Sequence, residues 1–152
     1  MRWMIALLVS LLVCSANTHA AEGKVYKVLP QFLDLKGRAS LSPSLYDRDA
    51  YQDKLRRKPA ERSGYCFQIQ WKAKVPETEP LKLKVEIRGI AEGDVPKEIT
   101  LELPVRQRHW YSHWAKITLG GNDYKTFGEV TAWRVTLWDG DQLLSEQKSF
   151  LW

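Results

Sequence analysis

The sequence predicts an all-β protein, an antiparallel β-sandwich of about seven strands with one surface helix inserted between the first and second strands. Apolar and polar residues alternate with period two through most of the chain, which places them on opposite faces of a strand. Turn-forming residues separate the alternating runs at short intervals. Hydrophobic residues make up 44% of the chain and charged residues 27%, which is typical of a globular domain.

The clearest alternation lies in two consecutive runs in the middle of the chain. The apolar face of the first run comprises Tyr65, Phe67, Ile69, Trp71 and Ala73, and that of the second comprises Leu81, Leu83, Val85 and Ile87. Runs at residues 25–35, 99–105, 112–119, 129–138 and 142–151 supply the other strands. Together these runs predict a core that contains Phe67, Ile69, Trp71, Leu83, Val85, Ile87, Trp133, Val135 and Leu137.

Proline and glycine mark the connections between the runs. Residues 76–80 begin and end with proline, which cannot donate a ladder hydrogen bond, so this segment is predicted to be a connector. Gly120 and Gly121 end the run at 112–119. Gly140 stands between two aspartates and is flanked by β-type residues, which predicts a hairpin closed by a type I′ turn.

Residues 43–58 break the alternation and predict a helix. Ser42 can cap its N-terminus, Pro43 suits the first helical position and Pro59 ends it. Acidic residues come early in the segment and basic residues late, as the helix dipole favours. The basic cluster at its end comprises Lys54, Arg56, Arg57, Lys58 and Arg62. We interpret this cluster as a solvated helix end, with contact to anionic polysaccharide or lipid head groups as the alternative.

Residues 1–20 have the three-part pattern of a secretory signal peptide. Arg2 precedes an apolar run over residues 3–13, and small residues then lead to a cleavage site expected after Ala20. We therefore expect one domain of residues 21–152 in the periplasm or outside the cell, with no transmembrane segment after cleavage. An uncleaved anchor would need about 20 apolar residues. A lipoprotein attached through Cys14 would have a small residue where Val13 stands.

Charge and cysteine content narrow the classes of function. The formal net charge is +5 and falls to +4 without the signal peptide, because Arg2 is the only charge lost. Basic and acidic residues are interspersed along the chain, so the sequence predicts no nucleic-acid partner. Cys66 is the only cysteine after residue 20, which leaves no partner for an intrachain disulfide. We predict a packed thiol there, with a reactive or intermolecular thiol as the alternative.

The sequence contains no recognisable catalytic, cofactor or metal motif, so we expect no enzymatic activity and no cofactor. Neither a Gly-x-Ser-x-Gly sequence nor a phosphate-binding loop is present. His109 and His113 lie on an extended segment, where residues four apart are separated by about 13 Å, too far to share one metal ion. Asp139 and Asp141 are interpreted as turn residues rather than as calcium ligands or catalytic carboxylates.

Aromatic residues are the one feature in excess, and three of them form a candidate binding patch. Trp110, Tyr111 and Trp114 are difficult to bury together, because Trp114 shares a strand face with Lys116. Exposed aromatic side chains on a β-sandwich can stack on sugar rings or anchor a protein partner. The alternative is that they pack between the sheets.

Residues 64–71 and 83–88 resemble the second and third strands of immunoglobulin-like or fibronectin-type sandwiches, and residues 133–141 with 149–152 resemble their closing hairpin. Over residues 25–152 the chain resembles small exported bacterial proteins of unknown activity with an immunoglobulin-like (Ig-like) β-sandwich. The paired core cysteines of antibody domains are missing. The resemblance therefore implies architecture alone and no catalytic residue.

These observations favour an exported, non-catalytic module with a binding or structural accessory role in the cell envelope. Its expected partner is a protein or a polysaccharide of the envelope. One alternative is a carbohydrate-binding module that uses exposed aromatic residues. The other is a small enzyme or an enzyme inhibitor, which would need a pocket with perturbed titratable groups or a rigid protruding loop.

Overall fold

The computed structural model describes residues 21–75, 80–106 and 111–152. The predicted signal peptide, most of the proline-bounded connector and residues 107–110 lie outside these ranges. In chain order the elements are β1 (Glu22–Asp34), α1 (Leu45–Arg57), a short 3₁₀ helix (Pro59–Glu61), β2 (Arg62–Lys74), β3 (Leu81–Ala91), β4 (Val95–Val105), β5 (His113–Gly120), α2 (Gly121–Phe127), β6 (Glu129–Asp139) and β7 (Gln142–Lys148).

The strands form two antiparallel sheets that share one hydrophobic core. The three-stranded sheet has the order β1-β2-β5 and the four-stranded sheet has the order β4-β3-β6-β7. Buried residues from both sheets belong to the same core cluster. The Phe67 ring of β2 meets the Trp133 ring of β6 edge-on, with 6.1 Å between centroids. The prediction of a mostly antiparallel β protein with about seven strands is confirmed for the described part of the chain.

The alternation identified the buried faces of β2 and β3 correctly. The predicted core residues that are at most 2% exposed are Phe67, Ile69, Trp71, Leu83, Val85, Ile87, Val135 and Leu137. Trp133 is the exception, because it contacts the core cluster but remains half-buried. Tryptophan is so large that it is rarely enclosed completely. The period of two therefore predicted the side to which the indole points but not its depth.

Strand β1 lies at the edge of the three-stranded sheet, and two contacts cover its backbone. Near its end, the Gln52 carboxamide of α1 donates to the Phe32 carbonyl at 3.0 Å and accepts from the Phe32 amide at 2.8 Å. Near its start, the Ser145 hydroxyl of β7 accepts from the Val25 amide at 3.0 Å. Unpaired edge groups promote aggregation, so these contacts protect β1.

Helix α1 begins at Leu45, later than the predicted start at Pro43. The capping residue is Ser44 rather than Ser42, since the Ser44 hydroxyl accepts from the Asp47 amide at 3.4 Å. The Ser42 hydroxyl instead accepts from the Ser44 amide at 3.2 Å and orders the approach to the helix. Three serines stand within five residues here, and the sequence alone does not rank them as caps.

The sequence did not predict helix α2. Gly120 ends β5 as expected, but the chain continues as a seven-residue helix rather than as an open turn. The last helical residue, Phe127, is 3% exposed and belongs to the core. Gly89 of β3 makes room for it, because a Cβ there would lie 2.5 Å from Phe127 Cε1. A helix this short has little stability of its own and depends on such a tertiary contact.

Strands β6 and β7 form the predicted hairpin, with Asp139 opposite Gln142. Gly140 has a φ of 53°, whereas Asp141 has no positive φ. Glycine at the first loop position alone is the pattern of a type II′ turn, so the predicted type I′ turn was wrong. β7 ends at Lys148, before the predicted limit of residue 151, and the Ser149 amide then donates to the Trp133 carbonyl at 2.9 Å.

Candidate binding face

The outer face of the three-stranded sheet carries a group of basic and polar residues on the side away from the core. On β2 the outward residues alternate with the buried Ile69 and Trp71, and on β5 they alternate with the buried Ile117. We call this surface the basic face. It comprises Lys24, Lys27, Gln68, Gln70, Lys72, Lys74, Trp114 and Lys116.

The strand register places these residues side by side. Lys24 lies opposite Lys72, and Gln70 lies between Lys27 and Trp114. Residues 24 and 27 would point to opposite sides of a regular strand. A β-bulge between Val25 and Lys27 shifts the register by one residue, so both lysines lie on the outer face.

Nearly all of the net charge of the protein lies on the basic face. Five lysines stand there against one acidic residue of the described strands, Glu22, which is opposite Lys74. This leaves a net charge of +4 on the face, compared with +5 for the whole chain. Within the described ranges, no salt bridge includes Lys27, Lys74 or Lys116. Basic and acidic residues are interspersed along the sequence, so the sequence did not show that these lysines lie together on one surface.

The outer face of the four-stranded sheet differs, because its charges are paired across strands. Arg88 contacts Glu98 at 3.0 Å, and Arg134 contacts Glu86 at 2.7 Å. The hydrogen bond from Arg134 holds the pKa of the Glu86 carboxyl below its usual value, against the opposing effect of burial. The Trp152 ring lies 3.9 Å from the Arg88 guanidinium and covers part of this face. The two outer surfaces therefore differ in charge compensation.

Trp114 is the aromatic residue of the basic face. Its side chain is 52% exposed, and it lies beside Gln70, whose amide donates to the Ser112 hydroxyl at 3.0 Å. Farther along β2, the Gln68 amide donates to the Gln31 side-chain oxygen at 2.8 Å. The exposed indole, the amide groups and the lysines together can contact a ligand that has both apolar surface and negative charge.

The structure separates the members of the predicted aromatic patch that it describes. Tyr111 is 51% exposed, and its ring lies 5.4 Å from that of His113. The His113 ring in turn lies 5.5 Å from the ring of the buried Trp71. Tyr111 therefore adjoins the core side of β5, whereas Trp114 lies on the outer side. Trp110 and His109 lie outside the described residues.

The sequence did not identify the lysines of the basic face as site residues. Lys72, Lys74 and Lys116 lie on the polar sides of predicted strands, which is the ordinary place for a solvated charge. Lys24 lies just before the strand predicted at residues 25–35, and Lys27 lies near its start. Their grouping depends on β1, β2 and β5 forming one sheet and on the bulge in β1. Period-two alternation contains neither piece of information.

A groove of about 540 Å³ opens at the edge of the basic face, between the start of β1, the end of β2 and β7. Lys24, Lys72 and Lys74 line it together with Tyr26 and apolar residues of β7. Gly23 permits the close approach of the two strands, since a Cβ there would lie 2.8 Å from the Leu144 side chain. The groove extends the basic face toward β7.

The basic residues at the end of α1 contact acidic side chains and a backbone carbonyl of the protein itself. Lys54 and Lys58 both contact Glu61, at 2.8 and 3.1 Å. Arg57 pairs with Asp53, and the Arg62 guanidinium donates to the Leu55 carbonyl at 2.5 Å. These contacts hold the basic side chains around the C-terminus of the helix. They agree with the interpretation of the cluster as a helix end.

Asp34 is a buried carboxylate with a structural role. It accepts hydrogen bonds from the Lys36 and Arg38 amides and the Tyr51 hydroxyl, each at 2.8 Å, and from Arg38 Nε at 2.9 Å. Burial by itself would raise the pKa of the Asp34 carboxyl, but the hydrogen bonds outweigh it and hold the pKa well below the usual value. Its donors belong to α1 and to the loop before it, so Asp34 ties both to the end of β1.

Cys66 is fully buried and forms no disulfide in the described part of the chain. Burial raises the pKa of its thiol, an effect that nearby Lys116 only partly offsets. A thiol in this environment is protonated near neutral pH and reacts slowly. These properties agree with a packed residue.

Among residues 21–75, 80–106 and 111–152, no three His, Cys, Asp or Glu side chains come together as a metal site. Asp139 and Asp141 lie at the β6–β7 turn. No helix in the same ranges is long and apolar enough to cross a bilayer.

Comparison with protein-family models, curated proteins and solved structures finds no match for the chain.

Proposed function

We propose that this protein is an exported, non-catalytic binding module of the cell envelope and that the basic face is its binding surface. The observation that carries the proposal is a half-exposed tryptophan, Trp114, close to Lys27 and Lys116, two lysines for which the described ranges contain no salt bridge. Clustered like charges without partners reduce stability or contribute nothing to it. A ligand with negative charge would compensate them.

The strand order supports an Ig-like sandwich as the architecture of the module. In immunoglobulin domains the first, second and fifth strands share one sheet, and the third, sixth and seventh share the other. Strands β1, β2 and β5 are grouped in the same way, opposite β3, β6 and β7. The fourth strand pairs with β3, as the additional strand of variable-type domains does. Under this proposal α1 is a surface insertion between the first two strands.

The position of β1 supports export with cleavage after Ala20. β1 begins at Glu22, so the proposed cleavage would leave the first strand complete. Its early residues pair with the end of β2, from Glu22 opposite Lys74 onward. The domain of residues 21–152 would then act in the periplasm or outside the cell, where the described fold needs no disulfide.

A substitution on the basic face tests the proposed function. Trp114→Ala should weaken retention on immobilised polysaccharide from the cell envelope by at least about ten-fold, because exposed aromatic anchors dominate such contacts. Its melting temperature should change little, because Trp114 is 52% exposed and lies outside the core.

Tyr46→Ala is the matched control. Tyr46 is an aromatic residue that is 82% exposed on α1 and is not one of the residues of the basic face. Retention of this variant should equal that of the unmodified protein. Equal losses in both variants, or no retention of the unmodified protein, would contradict the proposed binding face.

A further inference from the structure

We infer that the ligand of the basic face is an acidic polysaccharide, a linear sugar polymer that carries a negatively charged group on many of its units. The inference rests on the proposed function and specifies the chemistry of its ligand. The contrast between the two outer surfaces supports it. The four-stranded sheet neutralises its own charges through pairs such as Arg88–Glu98, whereas Lys27 and Lys116 have no salt-bridge partner among the described residues.

The lysines are spread along the sheet rather than gathered at one point. On β2, Lys74 is six residues from Gln68, the neighbour of Lys116, and at 3.3 Å per residue this is about 20 Å. Three adjacent strands make the face about 10 Å wide. A single small anion would contact one or two lysines of such a surface. An extended ligand with repeated negative charge can contact Lys24, Lys27 and Lys116 together.

The neutral groups between the lysines suit sugar units. The exposed Trp114 indole offers a flat apolar surface to one side of a sugar ring. Gln68 and Gln70 place amide groups beside the lysines, and amides both donate to and accept from hydroxyl groups. The groove beside Lys24 continues the surface toward β7 and lets a polymer extend past the sheet edge.

The proportion of rings to charges argues against a single-stranded nucleic acid. Proteins that bind single strands stack successive bases on several aromatic side chains. Five lysines lie on the basic face, and the exposed aromatic rings beside them are Trp114 on β5 and Tyr26, which contacts Lys24 at the groove. Lysines outnumber rings, and recognition through repeated charges with few stacking contacts fits an acidic polysaccharide better.

The test compares two triple variants with the same change in charge. The first, Lys24→Gln with Lys27→Gln and Lys116→Gln, removes charge from the basic face. The second, Lys82→Gln with Lys84→Gln and Lys148→Gln, removes it from the four-stranded sheet, where each lysine has a glutamate partner. Binding to oligomers of polygalacturonate is measured by calorimetry at several salt concentrations, with dextran and single-stranded DNA as comparison ligands.

We expect the first variant to bind polygalacturonate at least about ten-fold more weakly at low salt and the second to bind within about two-fold of the unmodified protein. The dependence of log K on log salt should become shallower by about 0.7 for each lysine removed from the basic face. Dextran should bind much more weakly than polygalacturonate.

Four results would overturn the inference. Equal losses in the two triple variants would mean that total charge alone attracts the polymer. Equal affinity for dextran would remove the requirement for acidic groups, and stronger binding of DNA would assign the face to nucleic acid. If only Trp114→Ala lost affinity and neither triple variant did, the inference of an acidic ligand would be wrong, but the proposed binding face would stand.

Discussion

Gly128 is the position at which one added methyl group should be poorly tolerated. Its φ of 88° and ψ of −149° lie in a region essentially restricted to glycine, where a side chain costs about 1–3 kcal/mol. A Cβ there would also lie 2.2 Å from the Ile90 carbonyl oxygen and 2.6 Å from Ala91 Cα. Both are backbone atoms of β3, so relief requires movement of the strand, at about 1–3 kcal/mol. Gly128→Ala should therefore lower the free energy of unfolding by about 4 kcal/mol.

Gly93→Ala is the matched control. Gly93 has a similar φ of 82°, but nothing lies within 4 Å of an added Cβ. Gly93→Ala should lower the free energy of unfolding by about 1–2 kcal/mol, which is the cost of the backbone conformation alone. Urea titration followed by tryptophan fluorescence gives both values, and an unchanged slope would assign the losses to stability. The close approach of the end of α2 to β3 would be refuted if the two variants lost equal free energy of unfolding. A loss below about 1 kcal/mol for Gly128→Ala would refute it too.

Three further predictions concern the core, the loop anchor and export. Trp71→Ala should cost about 3–5 kcal/mol, because the indole is 2% exposed, and a loss under about 1 kcal/mol would place it outside the core. Asp34→Asn should cost about 2 kcal/mol at neutral pH. Because the folded pKa of Asp34 is lowered, this difference from the unmodified protein should shrink as pH falls below about 4, and a constant difference would contradict it. Intact-mass analysis of the exported protein should show a chain that begins at Ala21, and a retained signal or lipid on Cys14 would contradict cleavage there.

Local patterns were sufficient for the elements whose period is visible within one segment. The alternation through Phe67 to Trp71 and through Leu83 to Ile87 assigned two strands and their buried faces, because side-chain direction in a strand depends only on position. The glycine at Gly140 located the closing hairpin for a similarly local reason. The sequence also indicated a helix before Pro59, although the structure begins it at Leu45 rather than at Pro43 and caps it with Ser44 rather than with Ser42.

Tertiary contacts decided the features that no single segment contains. Helix α2 exists because Phe127 enters the core beside Gly89, which is far away in the sequence. The basic face exists because three strands meet in one register and a bulge turns Lys27 to the same side as Lys24. The sequence by itself determined that Lys72 and Lys74 lie on the polar face of one strand and that Trp114 shares its face with Lys116 on another. Which polar faces became neighbours depended on strand order, and strand order follows from burying all the apolar faces together in one core.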